Sequence, residues 1–180
     1  MHTHIDTSPS RWFPSITVTL TLTLILLASS VGPAAAQQAW TPPAEGFPQT
    51  PAELSAFEAQ TGHQEMWDYL EALRGASTEM RLGTYGETWE GRDIPYAVFS
   101  RPLVSEPWEA WALGRPIVLL AANVHGGERT FREGLLILMR DLATPGTQAN
   151  ALLDEVTVIV APQINPDGYE ASERGTRGNA

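Results

Sequence analysis

Two apolar runs without alternation, residues 117–122 (Ile-Val-Leu-Leu-Ala-Ala) and 156–161 (Val-Thr-Val-Ile-Val-Ala), constrain this chain more than any other feature. A strand with one wet face alternates apolar and polar residues, whereas an uninterrupted run is expected of a central strand buried on both faces. Between the runs, Phe131, Leu135, Leu138, Met139 and Leu142 recur at helical spacing until Pro145-Gly146 stops the pattern. Strand, helix, strand is a βαβ unit, which implies a parallel pair joined by a right-handed crossover. Upstream, residues 80–85 and 94–100 flank the polar stretch Gly86-Glu-Thr-Trp-Glu-Gly91-Arg-Asp93 in the manner of a hairpin. The expected fold class is therefore α/β, a mixed and centrally parallel sheet flanked by helices, with an antiparallel edge.

Earlier segments are organised around this unit. Residues 1–36 read as a secretory signal peptide: Arg11, an uncharged Thr-rich apolar run from Phe13, and Ala34-Ala35-Ala36 as a small-x-small cleavage site before Gln37. The run is short for a permanent span, which takes roughly 20 apolar residues. Residues 37–49 form a Pro/Ala-rich leader, and residues 50–180 carry the domain. That domain opens on Thr50-Pro51-Ala52-Glu53, a capping box with Pro at the first helical position. The helical run beyond it has a break at Thr61-Gly62 and ends at residues 75–77. In the loop 101–115, Trp108 and Trp111 are expected to cover the core.

The chain has 180 residues, a net charge of −10 and no Cys. It contains no Lys either. Disulfide frameworks and cysteine-zinc sites are thereby excluded. Export without cysteine fits a periplasmic or secreted protein of a bacterium. The acidic balance argues against nucleic acid as a partner, because its phosphates would be repelled. Oligomeric state is not encoded in these features.

Ligands in open α/β sheets collect at the carboxyl ends of strands. One such end carries Asn123-Val-His125-Gly-Gly-Glu128, the other Asn165-Pro-Asp-Gly168. In a parallel pair both ends lie on one edge, so the two loops should face a common site. An imidazole and a carboxylate three residues apart offer two ligands for a catalytic zinc, with the glycine pair letting the backbone fold tightly enough to bring them together. On spacing alone the simpler reading is a turn histidine followed by a favourable first-turn carboxylate. The position at the end of a buried strand favours the metal.

Taken together, Ala122-Asn-Val-His125-Gly-Gly-Glu128, Ile164-Asn-Pro-Asp-Gly168-Tyr and Arg174-Gly-Thr-Arg177-Gly-Asn179 resemble the carboxypeptidase A-like zinc peptidases. Gly83 to Arg92 also resembles the family's early hairpin, so the similarity runs from about Thr61 to Ala180. The resemblance implies an α/β/α domain and one Zn2+ with His125 and Glu128 as ligands. It implies Arg177, rather than Arg174, as the group that polarises the substrate carbonyl, and a peptide with a free C-terminus as the partner. The family's pattern continues with an Asn-Arg pair, a third zinc ligand, a Tyr and a catalytic Glu. Ala180 precedes all of these, so the chain is expected to be a truncated, inactive N-terminal part of the domain.

Other residues have plainer readings. His63 is expected at a solvated helix position, and Arg129 and Arg132 on the solvent side of the later helix. Asp167 reads as a turn residue. Glu133 lies outside its helix's apolar face and Glu155 at the amino end of a strand, which disfavours both as a general base. The tryptophans read as packing or surface aromatics rather than a carbohydrate platform. A peptidoglycan-peptide amidase, an aspartoacylase-like deacylase, and a non-catalytic secreted binding module are the alternatives. An apolar edge left uncovered by so few helices would be prone to aggregate.

Overall fold

In the computed structural model the chain divides into two units, Met1–Trp40 and Thr41–Ala180. The structure describes residues 42–172, all within the second. The signal peptide, its cleavage site, Trp40, Arg174 and Arg177 lie outside the described residues.

The capping box forms as the sequence requires. Thr50 Oγ1 accepts from Glu53 N, and Glu53 Oε2 accepts from Thr50 N at 2.7 Å. The helix it starts is a single turn, α1 (Pro51–Leu54). Ala56 and Phe57 then take left-handed backbone conformations at φ 52° and 63°, which no helix continues through. Helix α2 (His63–Ala76) begins after Gly62 and buries Met66, Tyr69, Leu70 and Leu73 along one face. The break is thus wider than the expected interruption at Thr61-Gly62.

Strands β1 (Met80–Glu87) and β2 (Asp93–Phe99) pair as an antiparallel hairpin, and α3 (Pro107–Ala112) follows. Strand β3 (Ile117–Ala121), helix α4 (Arg129–Ala143), the turn-like α5 (Gln148–Ala151) and strand β4 (Thr157–Ala161) complete the expected βαβ unit. Strands β3 and β4 run parallel and in register, Ile117 opposite Thr157 and Ala121 opposite Ala161. Helix α6 (Pro166–Glu170) closes the described chain. The sheet order is β1-β2-β4-β3.

Side chains alternate along each strand, which assigns the two faces of the sheet. Ala97, Phe99, Val158 and Val160 point to the side of α2 and α4 and join Leu70, Leu73, Leu136 and Met139 in one core. Tyr96, Ile117, Leu119 and Ile159 point the other way, into shallow clefts that α3 only partly roofs.

Three expectations are corrected here. Strand β3 is not central among the described strands but forms an edge, and it is not buried on both faces: Leu119 is 65% exposed. Trp108 and Trp111 stand largely in solvent and do not seal the core, although Trp111 borders a cleft on the open face. Phe131, expected on the apolar stripe of α4, is also exposed. The uninterrupted apolar run correctly marks a strand, but sheet order depends on partners that local periodicity does not encode. Among the described residues, no helix is long and apolar enough to cross a membrane.

Candidate metal centre

The paired strand ends continue past the regular sheet and carry the two loops together. Ala122 N donates to Ala161 O at 3.0 Å, Ile164 N to Ala122 O at 3.1 Å, and Asn165 N to Asn123 O at 3.1 Å. The expected common edge is therefore formed, and both loops start from one hydrogen-bonded ladder. At Asn123 the backbone turns left-handed, with φ 53°. Asn adopts that region more readily than other side-chain-bearing residues. Asn123 bends the chain out of the strand, and the glycine pair then forms the expected tight turn, with Glu128 N donating to His125 O at 2.9 Å. Gly127 has open space where a Cβ would sit, so it leaves the surface beside the site bare.

His125 and Glu128 converge within this turn. His125 Nδ1 lies 2.6 Å from Glu128 Oε1, and His125 N donates to Glu128 Oε2 at 3.3 Å. Their side chains are 37% and 50% exposed. A pair so open to water adds at most about 1 kcal/mol to folding. It is accessible to a cation and costs little to rearrange around one. Imidazole nitrogen and carboxylate oxygen are the donors a catalytic zinc takes, at about 2.0–2.2 Å. The two groups fit two positions of such a centre. Among the described residues, no third His, Cys, Asp or Glu joins them.

His63 occupies the first position of α2, and its Nδ1 lies 2.6 Å from Gln163 Oε1 just beyond β4. It is tied to the strand end rather than solvated, and it does not join His125. Glu133 accepts from Thr61 N at 3.1 Å and from Thr61 Oγ1 at 2.6 Å. That carboxylate is committed to holding the chain before α2. Glu155 precedes β4, at the opposite end of the strand from the site.

Arg129 and Arg132 are not solvent-facing as expected. Both guanidinium groups lie over the ring of Tyr169, at 4.7 and 3.9 Å from its centroid. Arg132 is fully buried and donates to Thr61 O, Tyr169 Oη and Glu133. Arg129 donates to Gln60 Oε1, Tyr169 O and Ser172 Oγ. Neither was separable from a surface residue by spacing, because the ring that receives them lies about 40 residues away.

Asp167 is more than a turn residue. It is 2% exposed and accepts from Thr88 Oγ1 at 2.8 Å, Glu90 N at 3.1 Å and Arg92 Nη1 at 2.6 Å. It therefore pins the hairpin turn to the loop after β4, on the same edge as His125. Burial works to raise its pKa, but the bonds from Thr88, Arg92 and Glu90 outweigh it and hold the carboxyl below its ordinary value. A carboxyl depressed in the folded state stabilises fully above its unfolded pKa of about 3.9. That stability is lost as pH falls through the folded value. Thermal melts from pH 5 downward are expected to show this loss in the wild type and a flatter profile in Asp167→Asn. Identical slopes in the two proteins would refute the assignment.

Comparison with known proteins agrees with the geometry. The sequence model of the zinc carboxypeptidase family matches residues 66–180. Carboxypeptidase D of Mus musculus is 32% identical over 119 residues, covering 59% of this chain and 9% of that protein. Carboxypeptidase 2 of Trichophyton rubrum is 35% identical over 109 residues, covering 60% of this chain and 20% of its own. Among solved structures, carboxypeptidase A from Helicoverpa armigera aligns with a TM-score of 0.57 at 22% identity, over 67% of this chain and 30% of that one. The likeness at that identity is one of fold. The chain spans less than a third of the length of each of these relatives. The match covers more than half of the residues, and it includes both loops at the carboxyl edge of the sheet: the chain belongs to the zinc carboxypeptidase family.

Proposed function

We propose that this chain supplies the first half of the metal centre of an exported zinc metallocarboxypeptidase. The substrate is a peptide with a free C-terminus. The observation that carries the reading is the approach of His125 Nδ1 to Glu128 Oε1 at the carboxyl end of a parallel strand pair. Zinc, when bound, supplies a Lewis acid that polarises a carbonyl and lowers the pKa of coordinated water to about 7. His125 and Glu128 would hold the ion. Arg177 is assigned, through the family resemblance, to the carbonyl oxygen of the bond to be cut. A positioned donor at that oxygen contributes roughly 3 kcal/mol to lowering the barrier.

Neither Glu133 nor Glu155 is placed to act as the base, since Glu133 is bound to Thr61 and Glu155 is at the wrong end of the sheet. The described residues alone are therefore proposed to bind the metal without turnover. Mass spectrometry of peptides incubated with zinc-loaded protein tests this. The 180 residues are expected to leave them intact, while a chimera that joins them to the C-terminal part of a related carboxypeptidase domain is expected to shorten them one residue at a time from the C-terminus. Shortening by the 180 residues alone would refute the incomplete site. Cleavage confined to N-acyl amino acids or to peptidoglycan amide bonds would replace the peptidase with a deacylase or amidase.

A further inference from the structure

The backbone that carries His125 is held from below by two buried carboxamides. Asn165 Nδ2 donates to Val124 O at 3.2 Å, and Asn123 Nδ2 donates to His125 O at 3.0 Å and Gly126 O at 3.3 Å. Three consecutive carbonyls of the turn are thereby fixed by side chains that are 1% and 2% exposed. The orientation of the Asn123 amide follows from its partners, because carbonyl oxygens can only accept. Its Oδ1 is left buried without a partner, an arrangement that costs free energy. Turning the amide over would place an oxygen against carbonyl oxygens and cost more. The Asn165 carboxamide does two things at once: Oδ1 accepts from Gly168 N at 2.9 Å and caps α6, while Nδ2 reaches across to the neighbouring strand end.

Half-exposed side chains such as those of His125 and Glu128 have little of their own packing to orient them. Their directions depend on the backbone beneath. We propose that Asn123 and Asn165 are positioning residues for the metal centre, setting the turn so that His125 Nδ1 and Glu128 Oε1 meet on its open side. The inference rests on the reading of His125 and Glu128 as zinc ligands and adds to it the groups that preorganise them.

The test titrates zinc alone into the full chain by competition with a chromogenic chelator. Asn165→Ser keeps an oxygen to cap α6 and loses the reach to Val124 O. Asn123→Gly keeps the left-handed backbone without strain and loses the bonds from its carboxamide to the carbonyls of His125, Gly126 and Glu128. Each is expected to weaken zinc binding about tenfold, in the range seen when groups orienting a metal ligand are removed. His125→Ala is expected to abolish it. Wild-type affinity in both asparagine variants, with binding lost in His125→Ala, overturns the inference and leaves the ligand assignment standing. Unchanged affinity in His125→Ala overturns both.

Amide hydrogen exchange in the metal-free proteins separates positioning from folding. The amides of residues 124–128 are expected to exchange faster in Asn165→Ser while those of β4 keep their protection. Loss of protection throughout both variants would assign the asparagines to the fold as a whole and overturn the inference.

Discussion

Zinc added to the wild-type chain is expected to raise its melting temperature, and the same addition to His125→Ala is expected to do nothing. A ligand that binds only the folded state stabilises it by about 2.7 kcal/mol at a concentration one hundred times its dissociation constant. Removing an imidazole that supplies one of two protein donors should weaken binding by more than about a hundredfold, a larger loss than for an orienting group. The comparison is clean because the pair does little for the fold itself. Both side chains are substantially exposed, so their contact adds at most about 1 kcal/mol without metal. Metal-free wild type and His125→Ala should therefore melt within a few degrees of one another. Glu128→Gln keeps the shape and removes the charge, and is expected to fall between the two in affinity. A zinc-induced shift of equal size in His125→Ala would remove His125 from the site and with it the carrying observation for the proposed function.

Much of the scaffold behind that prediction is legible in the sequence. The capping box at Thr50 and the parallel pair follow from local patterns that need no knowledge of distant partners. The approach of His125 to Glu128 is legible in part: the turn through Gly126 and Gly127 is local, but the bond from Asn165 that holds Val124 O comes from a distant strand end. What was not legible depends on long-range choices. Strand β3 reads like β4 by composition, yet one is an edge and the other lies between two neighbours. Arg132 reads like Arg129 as a polar helix position, yet the Tyr169 ring and Thr61 O draw it fully inside. Asp167 satisfies a local turn rule so well that its second role, holding Arg92 from 75 residues away, leaves no trace in its neighbourhood.

Charged residues that look alike in sequence are expected to differ most when one partner is removed from the ion pair of Glu53 and Arg140. The guanidinium meets the carboxylate through both Nη atoms, with Nη2 at 2.9 Å from Oε1, and the side chains are 0% and 5% exposed. Glu53 also caps α1 through Thr50 N, so this one carboxylate fastens α1 to α4. Removing Glu53 leaves the buried Arg140 charge with only the half-exposed Asp141, 3.9 Å from Nε, and breaking a buried pair in this way costs about 3–5 kcal/mol. Glu53→Gln is expected to lose that much in urea unfolding with an unchanged denaturant slope. Replacing both groups by apolar residues of similar size, Glu53→Leu with Arg140→Met, removes the stranded charge along with its partner. The double variant is expected to be the more stable of the two, short of wild type by about the 1 kcal/mol of a lost cap. Two results would show the pair to be solvated and α1 to be held by packing alone: a single-variant loss under about 1 kcal/mol, or a double variant weaker than Glu53→Gln. The ordering of the three proteins, rather than any one value, decides the matter, because only a desolvated pair makes two substitutions less harmful than one.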